Sequence, residues 1–488
     1  MKNKYTYATL IFAILAFLII FVLSLTPFKF KENEILFSFL LQAIFVIAIL
    51  VMGYAEAKSK GFSIKHLSKV DNIIPIALTL MLVSTAFRAI IGSWFIGIFI
   101  IITLFKFLTS KTFYKINSYY YFLFAYVLLQ VVGTIGTRKG FHFPEILLSF
   151  LLVPISYSFF ELEKKTLIAI AMFFVKALQF FLILSFIYWW YNFLHLDNVT
   201  LLQWISSKML LPTNPSVLYI HHSNFAFTTT PAYFLVEGWS FHYHPTYTAL
   251  VILFALIIQF YLRFNKIISK LELAVFLILS IIVIALDQSR IGFIGYCFVI
   301  FISLLYYIKL RTKKFKIALT ASIILLCSVF FAAENMIAKF TNDVNRDYVY
   351  KVATSYVKEH FWWGCGFGQE IYAIAGQGEK MKEIIKNPGM EFLHSHNQFL
   401  GEMMKFGIFG VIVISSLFLS LFIFALRNRN YLLQLFLLVF ILFMLIEEPF
   451  ILQDGVTRFI VFLTFFMSFS ETGKRKMLSL NSKKPVEP

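Results

Sequence analysis

The chain has 488 residues, of which 60% are hydrophobic and 14% charged, an apolar excess that a water-soluble core of this length does not need. Its formal net charge of +18 comes from Lys and Arg in short segments between apolar runs. It therefore marks membrane topology and contact with anionic lipid, and not nucleic-acid binding. The fold class expected is all-α, a polytopic integral membrane protein.

Apolar runs of about 20 residues cross the hydrocarbon core as helices, and by that length roughly fourteen follow one another along the chain. In order they are 5–25, 34–54, 73–87, 89–108, 119–136, 144–161, 166–192, 246–263, 271–287, 290–310, 316–333, 405–426, 430–447 and 455–470. The first has no small-residue cleavage site and is expected to be retained as a span. Lys176 falls inside the seventh, where it either snorkels or faces the bundle interior.

Basic residues at Met1–Lys4, Lys58–Lys69, Lys106–Lys115, Lys164–Lys165, Arg263–Lys270, Lys309–Lys316, Arg427–Arg429 and Lys474–Lys484 all fall on one face if the helices alternate. That face is expected to be the cytoplasm, with both termini on it. The organisation expected is an N-terminal helical region 1–194, an external loop 195–245, a membrane domain 246–470 that includes a larger external loop 334–404, and a basic tail 471–488. In a bacterial inner membrane the external face is the periplasm. The larger loop is expected to be partly helical, because residues 345–357 place their apolar side chains three and four apart.

Nine of the ten histidines, His142, His195, His221, His222, His242, His244, His360, His394 and His396, map to the external face, and only His66 to the internal one. Imidazole exchanges protons near neutral pH, so a positioned one can deprotonate an acceptor hydroxyl. Three scattered cysteines, Cys297, Cys327 and Cys365, form neither a disulfide framework nor a metal motif. The pairs His394-x-His396 and His242-x-His244 can also be read as metal ligands, although no Cys or carboxylate stands at ligand spacing.

Asp287 and Arg290 sit at a junction between two spans with almost no loop, where charges are costly unless paired or facing water. They either pair at i, i+3 or serve a site. Gly364-x-Gly366-x-Gly368, behind Trp362-Trp363, is either a tight turn under an aromatic belt or a place where backbone approaches a ligand. Around His396, Ser395 or Asn397 can also be an ordinary helix cap.

The order Ser289-Arg290-x-Gly292, Gly364-x-Gly366-x-Gly368, His396-Asn397-x-x-Leu400 and Gly407-x-x-Gly410 resembles the O-antigen ligase and O-antigen polymerase superfamily of bacterial membrane glycosyltransferases. Phe241-His242-Tyr243-His244-Pro245 is similar to the family's His-Pro element, and Glu447-Glu448 to an acidic position near its last helices. The resemblance covers about 235–470.

It implies transfer of a glycan from an undecaprenyl diphosphate carrier to a hydroxyl of lipid A core by a ligase, or to a carrier-linked repeat unit by a polymerase, with membrane lipids around the site. By the same resemblance the reaction inverts the anomeric carbon and needs no cofactor or metal. His396 is then the base and Arg290 binds the donor diphosphate, which guanidinium grips bidentately. His394, Asn397, His244, Asp287 and Glu447 are supporting residues. The family's arginine before the His-Pro element is missing here, where Glu237-Gly238-Trp239-Ser240 stands. Arg346 has the strongest claim to be the second diphosphate-binding cation, ahead of Arg138, Lys139 and Arg88. A transporter would show two repeat halves, which this sequence does not, and a passive scaffold does not call for clustered external His and Arg.

Overall fold

The computed structural model describes residues 70–87, 89–114, 116–135, 147–194, 245–286, 289–308, 344–370, 373–374, 395–471 and 477–479. The expected spans 5–25, 34–54 and 316–333 lie outside them. The described chain is helical apart from one two-stranded pairing. The helices are α1 (Val70–Ser84), α2 (Ala89–Ser110), α3 (Tyr120–Val132), α4 (Leu148–Tyr157), α5 (Lys164–Leu194), α6 (Pro245–Phe264), α7 (Lys270–Leu286), α8 (Arg290–Ile308), α9 (Val344–Glu359), α10 (Gln398–Phe406), α11 (Ile408–Arg427), α12 (Tyr431–Met444) and α13 (Gln453–Glu471). A 3-10 turn, Pro449–Ile451, precedes α13.

Among the described residues, four helical stretches are long and apolar enough to cross a membrane: Ile91–Ser110, Lys164–Leu184, Thr246–Phe264 and Ile408–Arg427. Helices α1, α3, α4, α8 and α12 contribute shorter apolar stretches of 10–17 residues. At 1.5 Å per residue α3, α4 and α12, both of whose ends lie within the described residues, fall short of the roughly 30 Å hydrocarbon core. The expected span 119–136, for example, is helical only from Tyr120 to Val132 and stops at Gly133.

The described helices fall into two compact units. The first holds α1, α2 as far as Ile102, and α5–α8. Inside it Lys176 does not stand alone: its ammonium donates to Glu272 Oε1 at 3.0 Å, with both side chains mostly buried. Of the two readings open from sequence, this is the interior-facing one. Helix α6 starts on Pro245, whose missing N–H costs nothing in a first turn. Gly292 of α8 lies against Ala249 of α6, where an added Cβ would come within 2.5 Å of the alanine methyl.

The second unit holds the rest of α2, the strands, α3, α4 and α9–α13. Its core is aromatic. Phe440 and Phe459 lie 4.7 Å apart by ring centroids, Phe450 and Phe459 5.0 Å, Phe150 and Phe450 5.2 Å, and Phe418 and Phe459 5.5 Å. Phe450 thereby anchors the 3-10 turn in the middle of α4, α11, α12 and α13. Arg458 and Asp454, one helical turn apart in α13, form a buried ion pair. Strands β1 (Thr112–Tyr114) and β2 (Met477–Ser479) pair antiparallel, with Phe113 opposite Leu478. Two basic segments expected on one membrane face are thus hydrogen-bonded to each other.

The expected span 405–426 is broken near its start. Gly407 takes φ 59°, ψ −148°, a conformation open essentially to glycine alone, and separates the short α10 from the apolar α11. The corner is packed as well: a Cβ at 407 would run into the Trp362 carbonyl group, while Ile408 N–H donates to Phe361 O at 2.8 Å. Gly407→Ala is expected to destabilise the protein by at least about 2 kcal/mol, strain and collision together. Thermal unfolding of the purified protein in detergent checks this, and a melting temperature equal to wild type would contradict it.

Candidate functional site

The second unit builds a polar centre on α10, a short helix whose buried face carries Gln398, Glu402 and Lys405 among apolar neighbours. Asn397 is its N-cap: Oδ1 accepts the Leu400 N–H at 3.0 Å, satisfying one of the first-turn donors left without a helical partner. The capping that sequence alone offered for this neighbourhood is therefore present. The same asparagine also ties the cap to the end of α12, its Nδ2 donating to Leu445 O at 3.1 Å.

His396 precedes the cap with φ 50°, in the left-handed region. Such a residue costs free energy unless its surroundings over-determine it. Here they do. The Ser395 hydroxyl donates to Asn397 O at 2.9 Å, Tyr350 of α9 donates its OH to His396 O at 3.2 Å, and the Ser395 N–H donates to Glu448 Oε2 at 3.1 Å. The imidazole itself is 30% exposed, and its Nδ1 lies 3.3 Å from Glu447 Oε2. A carboxylate on Nδ1 selects the tautomer with the proton there and leaves Nε2 as the acceptor, which is the state a base needs.

Beneath the turn lies a cluster of buried charge. Glu402 accepts from Tyr126 OH at 2.9 Å, Gln130 Nε2 at 2.8 Å, Gln398 Nε2 at 2.8 Å and Lys405 Nζ at 3.3 Å. Gln398 Oε1 in turn accepts the Phe450 N–H at 2.9 Å, joining the cluster to the aromatic core. Burial works against the Lys405 ammonium, but Glu402, Glu370 and Glu448 outweigh it and hold its pKa well above the ordinary lysine range. Burial pushes Glu448 up to about 7, opposed by Lys405 and the Ser395 N–H. Glu370 is raised for the same first reason.

The glycine pattern Gly364-x-Gly366-x-Gly368 has positive φ at all three positions. Its backbone approaches α10: Cys365 N–H donates to Met404 O and Gly366 N–H to Lys405 O, both at 2.8 Å. The loop thus closes the C-terminal end of α10, whose last carbonyls have no helical partner. The Cys365 thiol, pushed up to about 12 by burial, is not a nucleophile at neutral pH. Trp362 and Trp363 are 63% and 79% exposed beside the start of α11, Trp363 against Phe409 at 5.3 Å.

In the first unit, Ser289 caps α8, its Oγ accepting the Gly292 N–H at 3.1 Å, and Arg290 is the first helical residue. Arg346 lies in the first turn of α9, in the second unit. The structure thus brings His396, Asn397 and Glu447 together, and places Arg290 in the other unit. Asp287, His394 and His244 lie outside the described residues, as do Arg138, Lys139 and Arg88. Among the described residues no group of three or more His, Cys, Asp or Glu is placed to hold a metal ion. Sequence reasoning did not single out Glu402, Lys405, Glu370 or Tyr350, and named Glu448 only beside Glu447 as an acidic position. The available signal was an i, i+3 pair of opposite charges, Glu402 and Lys405, inside an otherwise apolar run.

The family model described as O-Antigen ligase matches residues 273–415. This segment belongs to the O-antigen ligase superfamily. The match takes in Arg290, Arg346 and the whole His396 turn, while Glu447 and His244 fall outside it. A search of curated proteins gives no match to the chain. The O-antigen ligase segment includes α10 and the first residues of α11, so its polar helix and the corner at Gly407 are parts of the matched region.

The buried acid has a measurable consequence. An ordinary glutamate titrates at 4.5, Glu448 in the folded chain at about 7. Between those values the folded state keeps a proton that the unfolded state has released, so the stability Glu448 contributes is complete below 4.5 and is lost as pH rises through about 7. Melting temperature measured from about pH 5 to about pH 8 is expected to fall more steeply for wild type than for Glu448→Gln, which has no proton to lose. Equal slopes would contradict the assignment.

Proposed function

We propose that the protein is an O-antigen ligase-like glycosyltransferase of the bacterial inner membrane, moving a glycan from an undecaprenyl diphosphate carrier to a hydroxyl of lipid A core at the periplasmic face, with both termini cytoplasmic. The observation that carries the reading is the His396–Glu447 pair within a unit that also holds most of the matched segment's polar residues. His396 Nε2 takes the proton of the acceptor hydroxyl as its oxygen attacks the anomeric carbon, and Glu447 stabilises the imidazolium that results. The carbon inverts, and the bond to the carrier diphosphate breaks as the new glycosidic bond forms.

Arg290 holds the departing diphosphate. A cation at a helix N-terminus is opposed by the helix dipole, by about 0.3–1 kcal/mol at an exposed site, whereas an anion there is favoured by both the dipole and the free N–H groups. A phosphate bound at the start of α8 thus meets guanidinium and backbone donors together, with no metal required in this reading. Arg346, likewise in a first helical turn, is the second diphosphate-binding cation. His394, His244 and Asp287 support the site, and Asn397 orients the turn. A polymerase, adding the growing chain to a carrier-linked repeat unit, uses the same donor chemistry and is the second reading, since the match covers a segment common to both in the resemblance.

Gel profiles of surface glycolipids separate the two. For a ligase, deletion removes polymer from lipid A core while long polymer accumulates on the carrier; for a polymerase, core capped by a single repeat remains. His396→Ala is expected to lower transfer by roughly 10²–10⁴, the usual contribution of a positioned base, and Arg290→Ala to reproduce the deletion profile. Normal profiles from well-folded variants of both would sink the proposal.

A further inference from the structure

Glu447 and Glu448 are adjacent in the short stretch between α12 and the 3-10 turn, with Glu448 at φ −106°, ψ 75°. Their side chains diverge: Glu447 reaches the His396 ring, and Glu448 reaches the backbone one residue earlier, at Ser395 N–H. The pair is itself immobilised two residues on, where Phe450 is buried in the aromatic core and its N–H is held by Gln398.

The second oxygen of Glu448, Oε1, is buried with no hydrogen-bond partner. It is pressed onto Gly401, where the Cβ of any other residue would collide with the carboxylate. A buried acid that leaves one oxygen unsatisfied is expensive. Its compensation is the contact to Ser395 and the field of Lys405, and a shorter or differently placed acid would lose the first. Gly401 makes the passage that lets a glutamate side chain extend from the end of α12 to the turn in front of α10.

We propose that Glu448 is a positioning residue for His396: its carboxyl group holds the backbone of the left-handed turn that presents the imidazole, while Glu447 holds the ring. The proposal rests on the reading of His396 as the reacting group. Glu448 touches neither donor nor acceptor; it acts through Ser395. The requirement is for reach and for a hydrogen-bond acceptor, so Glu448→Gln, which keeps both, preserves the turn. Glu448→Asp keeps the charge but is one methylene shorter, and withdraws the acceptor by about 1.5 Å, one carbon–carbon bond.

The test uses the full chain in lipid nanodiscs and two readouts. The first is the rate at which diethyl pyrocarbonate, which acylates neutral imidazole, modifies His396, followed by mass spectrometry with the His360 peptide as internal control. Glu448→Asp is expected to speed modification of His396 up to about threefold, the ratio of a fully exposed ring to one 30% exposed, with His360 unchanged. Glu448→Gln is expected to react as wild type does.

The second readout is glycan transfer. For Glu448→Asp kcat falls about 100-fold, the size carried by a misplacement of about 1 Å, with KM for the lipid-linked donor unchanged. Wild-type modification of His396 in Glu448→Asp overturns the proposal. So does equal acceleration in both variants, which assigns the effect to charge, or acceleration at His360 as well, which assigns it to general loosening. A wild-type chain that transfers no glycan yet shows the His396 pattern sinks the glycosyltransferase reading and keeps the positioning role; transfer with His396 unaltered in Glu448→Asp does the reverse.

Discussion

The Lys405–Glu402 pair is the interaction on which the second unit depends. Both side chains are almost wholly buried, and Glu402 gathers donors from α3, from α10 itself and from Lys405. An isolated charge in such a place would cost several kcal/mol. With its partners present, the cluster becomes a directional lock in a unit otherwise held by aromatic packing, which by itself specifies contact but little orientation. The short polar helix is thus fixed in rotation as well as position, and the histidine turn at its head inherits that precision.

Two chain breaks convert this lock into a site. At the N-terminal end of α10, Asn397 stops the helix and His396 is forced into a left-handed turn; at the other end, Gly407 stops it before the apolar α11. The glycine loop 364–368 closes the same end by donating to the last carbonyls. The O-antigen ligase superfamily match runs through all of these features, so the resemblance has a structural content in this chain that goes beyond a shared order of motifs. The exposed Trp362 and Trp363 beside α11 have the amphipathic character that favours the water–lipid boundary.

Much of this was legible from residues alone because it is local. A cap at Ser395 or Asn397 acts within one turn, and composition alone pointed to a helical membrane protein. The helix at 345–357 was visible in its spacing and is found as part of α9. What stayed hidden is non-local. Tyr126, Gln130, Glu402 and Glu448 are spread over more than three hundred positions, and periodicity carries no information about which of them meet. The break at Gly407 was masked for a different reason, since one glycine inside an apolar run is compatible with a continuous helix. The glycines at 364, 366 and 368 left a tight turn and a close approach to a ligand both open, and the sequence could not show that their loop bonds the protein's own helix. Fourteen full-length spans were expected from apolar length, whereas several of the described helices end sooner, at turns such as that at Gly133.

The long separation of the lock's two halves also bears on how the chain is made. Gln130 donates to a carboxylate 272 residues further along, and Tyr126 to the same one. At about 5–20 residues per second of synthesis, that interval is on the order of tens of seconds. During it α3 carries its amide and phenol without the carboxylate they meet in the folded unit, so this lock closes only after α10 has been made.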